Sequence, residues 1–319
     1  MATSGRPTWY KPDIGLSLRM VLTMFLLGLV YVVFGFILYR VVGMPLGFLI
    51  VIAAAIAFAQ FFFADKIALM AMRAREVSEA EAPQLHEMIG RLAAQADLPK
   101  PKIAIVDTSV PNAFATGRSK NHAVVAVTTG ILNKLPAQEL EAVLAHELTH
   151  IINRDMLVMT IAAFFSIVAG LIARNFFWFG GMGMGGGYGR RDNNNDGGGA
   201  IAIVLLASVL VYVVSFVLIR TLSRYRELAA DRGSALITGS PATLASALLR
   251  ISDVNQRIPQ RDAREAAALM APVSALCFAP ASSLRGEEAM TLFSTHPSTE
   301  ERVRRLQEMQ AQMEQSQRF

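Results

Sequence analysis

The sequence predicts a mainly helical α+β protein with a small β-sheet and about four transmembrane helices. Three observations carry this prediction: four apolar runs that approach the length of a membrane-crossing helix, two short β-branched segments in the polar part of the chain, and a His-Glu-x-x-His motif on a helical stretch. Of the 319 residues, 53% are hydrophobic and only 17% are charged, whereas charged residues make up about 25% of soluble domains. The chain is therefore expected to be part membrane-bound and part globular.

The first two apolar runs, residues 20–38 and 41–64, contain no charged side chain. Each approaches the ~20 apolar residues that a helix needs to cross about 30 Å of hydrocarbon. Arg40 and Pro45 predict a tight turn where the two runs meet. We therefore expect an N-terminal unit, residues 1–64, that consists of a tail and a transmembrane hairpin.

The other two apolar runs, residues 156–173 and 200–219, are expected to form a second membrane unit over residues 156–219. They are separated by residues 180–199, which are rich in Gly and Asn and bury too little apolar surface to become ordered. The third run has only 18 residues, so a buried core helix is the alternative to a span for that run.

Lys and Arg residues near the ends of the runs predict the orientation of the chain. The N-terminal tail and the segment after residue 64 are rich in them, whereas the first hairpin loop has only Arg40, so both flanks are expected in the cytoplasm. Arg220 and Arg224 indicate that the fourth run ends on the cytoplasmic side. Arg190 and Arg191 would then lie on the opposite side of the membrane, against the same rule. We attribute the net charge of +5 to this topology and not to nucleic-acid binding.

Residues 65–155 and 220–319 are predicted to form one globular domain in two parts. The Ser-x-x-Glu pattern that begins at Ser78 predicts a capping box that opens a helix ending near Ala96. Strands are predicted over residues 102–107 and 122–128, and helices over residues 136–153, 221–238 and 241–254 and from Ser298 onward. The strand over 122–128 can pair with an extended peptide beside a cleft, or serve as a plain sheet strand.

The His-Glu-x-x-His motif comprises His146, Glu147 and His150. On a helix, residues four apart lie on one face, so the two imidazoles can bind one metal ion. Glu147, next to the first histidine, stays free to polarise a water molecule at the metal. The motif therefore predicts a catalytic Zn²⁺ site with the metal bound by His146 and His150.

A catalytic zinc site needs a third protein ligand and an open position. Glu227 is the best candidate, and Asp231 lies on the same helical face four residues later. Glu227 can bind the metal while Asp231 accepts a hydrogen bond from a ligand histidine. An ordinary surface pair among neighbouring arginines is the alternative. If the ligand hypothesis is right, the chain between His150 and Glu227 crosses the membrane an even number of times.

Together, these features resemble the HtpX family of membrane-bound zinc endopeptidases, which is related to the Ste24 and Oma1 proteases. The resemblance covers nearly the whole chain. Besides the membrane runs and the zinc motif, it rests on Pro111-Asn112-Ala113-Phe114-Ala115-Thr116-Gly117, on Val127-Thr128-Thr129-Gly130, on Glu227 to Asp231, and on His296-Pro297.

The resemblance implies a zincin-like (gluzincin) catalytic domain with one Zn²⁺ per chain. By position in these motifs, His146, His150 and Glu227 would bind zinc, and Glu147 would act as the general base. Asp231 would orient a ligand histidine. His296 would stabilise the oxyanion of the transition state, and Asn112 would contact the backbone of the substrate.

The resemblance also implies a function, which is hydrolysis of peptide bonds in misfolded or damaged membrane proteins, as part of quality control and the stress response. The expected location is a bacterial inner (plasma) membrane with the catalytic domain in the cytoplasm. Partners would be unfolded or misassembled proteins and the lipid bilayer, without nucleic acid. The alternatives are a prenyl-protein protease of the Ste24 type, which has more spans, and a catalytically silent membrane scaffold with a zinc site.

Three residues of reactive types are expected to play a structural part. Cys277 is the single cysteine, so it forms no internal disulfide, and its apolar neighbours favour a buried thiol. His86 and His122 fit no ligand pattern, so we expect them on the surface or in the framework of the domain.

Overall fold

The computed structural model describes residues 14–37, 39–40, 46–159, 196–258 and 296–316. Several sequence predictions fall outside these ranges: the turn at 41–45, Cys277, all but four residues of the run 156–173, and residues 180–195 of the Gly/Asn-rich segment. The described part is mainly helical with one small mixed sheet, as the sequence predicts.

The helices, in chain order, are α1 (Ile14–Ile37), α2 (Leu46–Ala71), α3 (Pro83–Gln95), α4 (Thr129–Lys134), α5 (Ala137–Asn153), α6 (Asp196–Thr238), α7 (Pro241–Gln256) and α8 (Thr299–Ser316). The strands are β1 (Arg75–Glu76), β2 (Lys102–Val106), β3 (Ala113–Gly117) and β4 (Ala123–Thr128).

The sheet has the strand order β1-β2-β4-β3. β4 runs parallel to β2, with Val125 opposite Ile103, and antiparallel to β3, with Val125 opposite Ala115. Both edges of β4 are therefore paired, so the expectation that this strand can bind an extended peptide is wrong. The edge strand next to β4 is β3, which the sequence analysis did not predict because its Ala-Phe-Ala-Thr-Gly sequence lacks the usual β-branched run.

Successive strand residues point to opposite faces of the sheet, and helices pack against both of these faces. Ala115, Val125 and Val127 contribute to the core that includes α3 and α5. Phe114 and Ala126, on the opposite face, pack with Ala68 and Met72 at the end of α2 and with neighbouring residues. The sheet is thus held between the helix that carries the His-Glu-x-x-His motif and the end of an apolar helix.

A single unbroken helix, α6, replaces the span over 200–219 and the separate helix over 221–238 that the sequence predicts. No proline or exposed turn interrupts it, so one helix runs from the apolar part of the chain into the globular domain. It begins at Asp196, so the last four residues of the predicted loop are helical. α1 packs along its first half through Leu27, Tyr31 and Phe34.

Two of the described helices, Ile14–Ile37 and the Ile203–Thr238 part of α6, are long and apolar enough to cross a membrane. Their outward faces are lined by large apolar side chains that remain exposed, such as Leu18 and Leu206. Such faces are stable against lipid and costly against water. Of the about four predicted spans, the described residues thus provide two candidates, by length and composition.

The capping box predicted at Ser78 does not open a helix. Its hydrogen bonds do form, since the backbone N–H and the hydroxyl of Ser78 both donate to Glu81 Oε2, at 2.8 and 2.9 Å. However, they close a turn, and α3 begins only at Pro83, whose ring suits the first position of a helix. The cap predicted at Ser298 is confirmed, because its Oγ accepts from the backbone N–H of Glu301 at 3.2 Å.

Replacing Gly233 with alanine is expected to destabilise the domain by about 1–3 kcal/mol, the usual cost of overpacking. A Cβ at Gly233 would overlap the side chain of Thr149 on α5. The matched control is Gly90→Ala in α3, where the new Cβ meets only Lys100 at 3.7 Å, and which should be neutral or stabilising. Thermal unfolding in detergent measures both, and an unchanged melting temperature for Gly233→Ala would contradict this packing.

Candidate metal centre

The centre lies where α5 and α6 cross. The absence of a side chain at Gly233 lets α6 approach Thr149 closely. The hydroxyl of Ser234 donates to the carbonyl of Ala142 at 2.7 Å, which fixes the two helices relative to each other. Glu227 lies less than two turns before this contact, so the crossing carries it toward the histidine face of α5.

The structure brings His146, His150 and Glu227 together, and all three are buried. The two Nε2 atoms are 3.1 Å apart. Oε2 of Glu227 lies 3.5 Å from Nε2 of His146, and Oε1 lies 3.5 Å from Nε2 of His150. Their potential ligand atoms all lie within 4.8 Å of one another, and no other such group occurs within the described ranges.

These separations fit a tetrahedral ion. Zinc binds nitrogen and oxygen at about 2.0–2.1 Å, which places neighbouring tetrahedral ligands roughly 3.3 Å apart. The 3.1 Å between the two Nε2 atoms is close to that value, and each Nε2 atom lies 3.5 Å from a different carboxylate oxygen of Glu227. Two imidazoles with one carboxylate leave a fourth position open, as in catalytic zinc sites. The residues present therefore fit a metal ion with an open coordination position.

Each histidine is oriented by a carboxylate behind it. Nδ1 of His146 lies 3.0 Å from Oδ1 of Asp231, the residue that the sequence assigns to this task. Nδ1 of His150 lies 2.6 Å from Oδ2 of Asp155, which the sequence analysis did not identify. Each contact directs the Nε2 lone pair of its histidine toward the metal position.

Asp155 reaches His150 because of the way in which α5 ends. Arg154, the C-cap, has left-handed backbone angles (φ 57°, ψ 37°), which are uncommon for a residue other than glycine. The turn redirects the chain and brings the next side chain back to the histidine. A sequence signal exists, namely an acidic residue just beyond the motif helix, but the spacing alone does not reveal the left-handed turn.

Replacing Asp155 with asparagine is expected to weaken zinc binding about 10–100-fold, the usual cost of losing an orienting partner of a ligand histidine. Asp253→Asn is the matched control, because this exposed carboxylate pairs with the exposed Arg257, away from the candidate ligands. Competition with a chelator of known affinity measures the dissociation constant of zinc. Equal affinities in both variants would show that His150 needs no such partner.

Arg302, near the start of α8, connects the C-terminal helix to the centre. It is buried, and its Nε and Nη2 donate to the two oxygens of Asp231 at 2.9 and 2.7 Å. Its Nη1 lies 4.0 Å from Oε2 of Glu227. This paired geometry is the strong form of an arginine–carboxylate contact. The sequence analysis assigned Arg302 no role.

Glu147 is completely buried beside the ligand histidines. Among the residues that the structure describes, neither of its carboxylate oxygens has a hydrogen-bond partner. Burial raises the pKa of Glu147 above the usual value, and the charges of His146 and His150 oppose that rise. A raised pKa brings this carboxylate closer to the range in which a general base works well near neutral pH.

The pKa of His146 is raised to about 9. Burial lowers this pKa, but the hydrogen bonds to Asp231 and Glu227 outweigh the effect of burial. Without a metal, this imidazole therefore keeps its proton at neutral pH. Because a ligand histidine must be neutral, metal binding has to displace that proton.

His296 and Asn112 are both buried in the described structure, but their contacts differ. Nδ1 of His296 lies 3.2 Å from Oε2 of Glu227, so this histidine belongs to the centre. Asn112 lies directly before β3. Its backbone N–H donates to Thr128 Oγ1 at 2.9 Å, and its side-chain oxygen accepts from the N–H of Ala113. These bonds fix the start of the edge strand.

The remaining histidines are not part of the centre. His86 lies 3.0 Å by its Nε2 from the carbonyl of Val77, and the exposed His122 lies 3.0 Å by its Nδ1 from Ser119 Oγ. Both contacts agree with the prediction of a surface or framework position.

Comparison with known solved structures identifies the fold. The crystal structure of S. mikatae Ste24p matches with a TM-score of 0.51 over 92% of this chain and 67% of that protein. The two sequences are 19% identical, so this match concerns the fold alone.

Sequence comparison identifies the family. The profile described as Peptidase family M48 matches residues 79–310. "Protease HtpX homolog" of Moorella thermoacetica is 52% identical over 302 residues, which cover 95% of this chain and 97% of that protein. "Protease HtpX homolog 2" of Methanosarcina acetivorans is 53% identical over 310 residues, covering 95% and 98%. The chain therefore belongs to peptidase family M48 and, within it, to the HtpX group of membrane metalloproteases.

Proposed function

We propose that the chain is a zinc endopeptidase of a bacterial inner (plasma) membrane and cleaves misfolded or damaged membrane proteins for quality control. The observation that carries this proposal is the meeting of three buried ligands, His146, His150 and Glu227, beside the buried carboxylate of Glu147. A metal helix beside a small mixed sheet also supports a zincin-like arrangement.

Each residue of the centre has its own proposed role in peptide hydrolysis. When bound, zinc supplies a Lewis acid that polarises the scissile carbonyl and acidifies water. Glu147 accepts the proton of the attacking water and later delivers it to the leaving amine. His296 donates a hydrogen bond to the oxygen that becomes negatively charged. Asp231 and Asp155 hold the ligand histidines in the required orientation.

The substrate is proposed to bind as an additional strand on β3. The order of the sheet supports this assignment, because β3 has β4 on one side only. Peptides commonly add to such edges through backbone hydrogen bonds, which suits an enzyme that accepts many sequences. Asn112, at the start of β3, is proposed to contact the substrate backbone there.

The proposed topology has four spans with the catalytic domain in the cytoplasm. Because His150 and Glu227 share one site, a crossing by α6 requires a second crossing between residue 150 and α6. The apolar run 156–173 is proposed to provide it, and α2 is proposed to pair with α1. The arginines that follow α6's apolar half support a cytoplasmic exit.

Cleavage of casein by purified protein in detergent tests the proposal. We expect cleavage with zinc, none after chelation, and recovery when zinc is added back. A protein that binds zinc at the three ligands but cuts neither casein nor an unfolded membrane protein would support the silent scaffold instead. Cleavage of a farnesylated peptide, with none of its unmodified form, would support the prenyl-protein protease.

A further inference from the structure

The distance between the bilayer and the metal centre follows from the continuity of α6. Val217 is the last large apolar side chain exposed on this helix, and Arg220 is the first charged residue after it. Glu227 lies two turns further along the same helix. At 1.5 Å per residue, the metal-binding carboxylate is about 10 Å beyond Arg220 along the axis. The headgroup layer is roughly 5–8 Å thick, so the centre lies just outside it.

Helix α2 holds the sheet at a similar distance from the membrane surface. The charge-free run of this helix ends at Ala64. Ala68 and Met72, one and two turns later, pack in one cluster with Phe114 of the edge strand β3. By the same helical rise, β3 lies within about 6–12 Å of the end of the apolar run.

The turn between β3 and β4 lies closer still to the membrane. The guanidinium carbon of Arg118 is 5.6 Å from the centre of the Phe62 ring, and Phe62 is within the charge-free run of α2. Lys120 and His122 follow in the same turn. A basic turn beside the end of an apolar helix is placed at the level of anionic lipid headgroups.

From these three placements we infer that the enzyme cuts its substrates close to the membrane surface. The substrate class is the polypeptide segment that directly flanks a transmembrane helix. An extended chain advances about 3.3 Å per residue, so distances of about 6–12 Å place the scissile bond roughly two to four residues outside the hydrocarbon. This inference rests on the proposed protease function and adds the position of the cut.

The first test uses a membrane-anchored substrate in which every position is chemically alike. One apolar helix is followed by a long tract of a short repeated sequence, and both substrate and enzyme are placed in liposomes. Mass spectrometry then maps the cuts. We expect at least about tenfold more cleavage in the first four or so residues after the helix than further out. The same tract without its helix, as a control, should be cut alike at every repeat.

Each outcome of this test separates the two proposals. Even cleavage along the anchored tract, or cleavage of casein without cleavage of the tract, overturns the membrane-proximal cut and leaves the protease intact. If wild type cleaves neither casein nor any tract, the proposed function itself fails, and the inference fails with it.

A second test measures depth without relying on activity. In a Cys277→Ser background, a fluorophore is attached at Asn121→Cys, in the β3–β4 turn, or at Ala242→Cys, beyond the far end of α6. Both positions are exposed, and the end of α6 is about 27 Å from Arg220 along the helix. Quenching by lipids that carry a quencher on the headgroup should be several-fold stronger at position 121. Equal quenching at both positions would overturn the inference.

Discussion

Replacing Glu147 with glutamine is expected to lower kcat for peptide cleavage by about 10²–10⁴-fold while leaving zinc bound. The amide keeps the size of the side chain and its place beside the candidate ligand histidines, but it cannot accept a proton from water. The carboxylate has no hydrogen-bond partner among the described residues, so the replacement breaks no structural contact there. Activity on casein and zinc content by atomic absorption measure the two quantities.

Glu141→Gln is the matched control for this prediction. Glu141 lies on the same helix, but it pairs with Arg91 near the surface, at 2.9 Å. The control should keep both zinc and full activity. Cleavage by Glu147→Gln at the wild-type rate would refute the assignment of Glu147 as general base. Loss of zinc from that variant would instead assign Glu147 a part in metal binding.

Replacing Arg302 with methionine is expected to destabilise the protein by about 3–5 kcal/mol, the usual cost of removing one partner of a buried ion pair. Arg302 and Asp231 are both buried and joined by two hydrogen bonds. Without the arginine, Asp231 keeps its buried negative charge and loses two hydrogen bonds. Its contact with His146 remains. The free energy of unfolding in denaturant and the melting temperature with zinc measure the loss.

Arg305→Met is the control, because Arg305 is half-exposed and its pair with Glu301 is open to solvent. Pairs of this kind contribute about 0–1 kcal/mol, so the control should unfold almost like wild type. Arg302→Lys keeps the charge but loses the paired geometry, so an intermediate loss is expected. If Arg302→Met unfolds like wild type, the buried pair does not hold α8 to the centre.

The spacing within each pair of candidate site residues was predictable from sequence because it depends on local helix geometry. His146 and His150, and likewise Glu227 and Asp231, are four residues apart, and that spacing alone places each pair on one helical face. Asp155 depends on a left-handed turn at Arg154, which no spacing rule reports. Arg302 meets Asp231 across 71 residues of sequence, and a contact at that distance is settled only by the packing of the helices.

Among the helices and strands, too, some follow from local sequence and others from long-range packing. Helices α5, α7 and α8 and strands β2 and β4 lie close to their predicted bounds, because their periodic apolar patterns and caps are local. β3 has a small, alanine-rich sequence, and its strand conformation comes from pairing with β4. The start of α6 at Asp196 was not predicted, since a glycine-rich sequence has low helix propensity.

The division of the metal ligands between two stretches of sequence has a consequence for synthesis on the ribosome. Glu227 leaves the ribosome about 80 residues after His150, or roughly 4–16 s later at ~5–20 residues per second. During that interval the nascent chain holds two of the three ligands. Arg302, which fixes Asp231, is translated later still. A growing chain therefore lacks the buried contact between Arg302 and Asp231, and with it the complete centre, until residue 302 has been made.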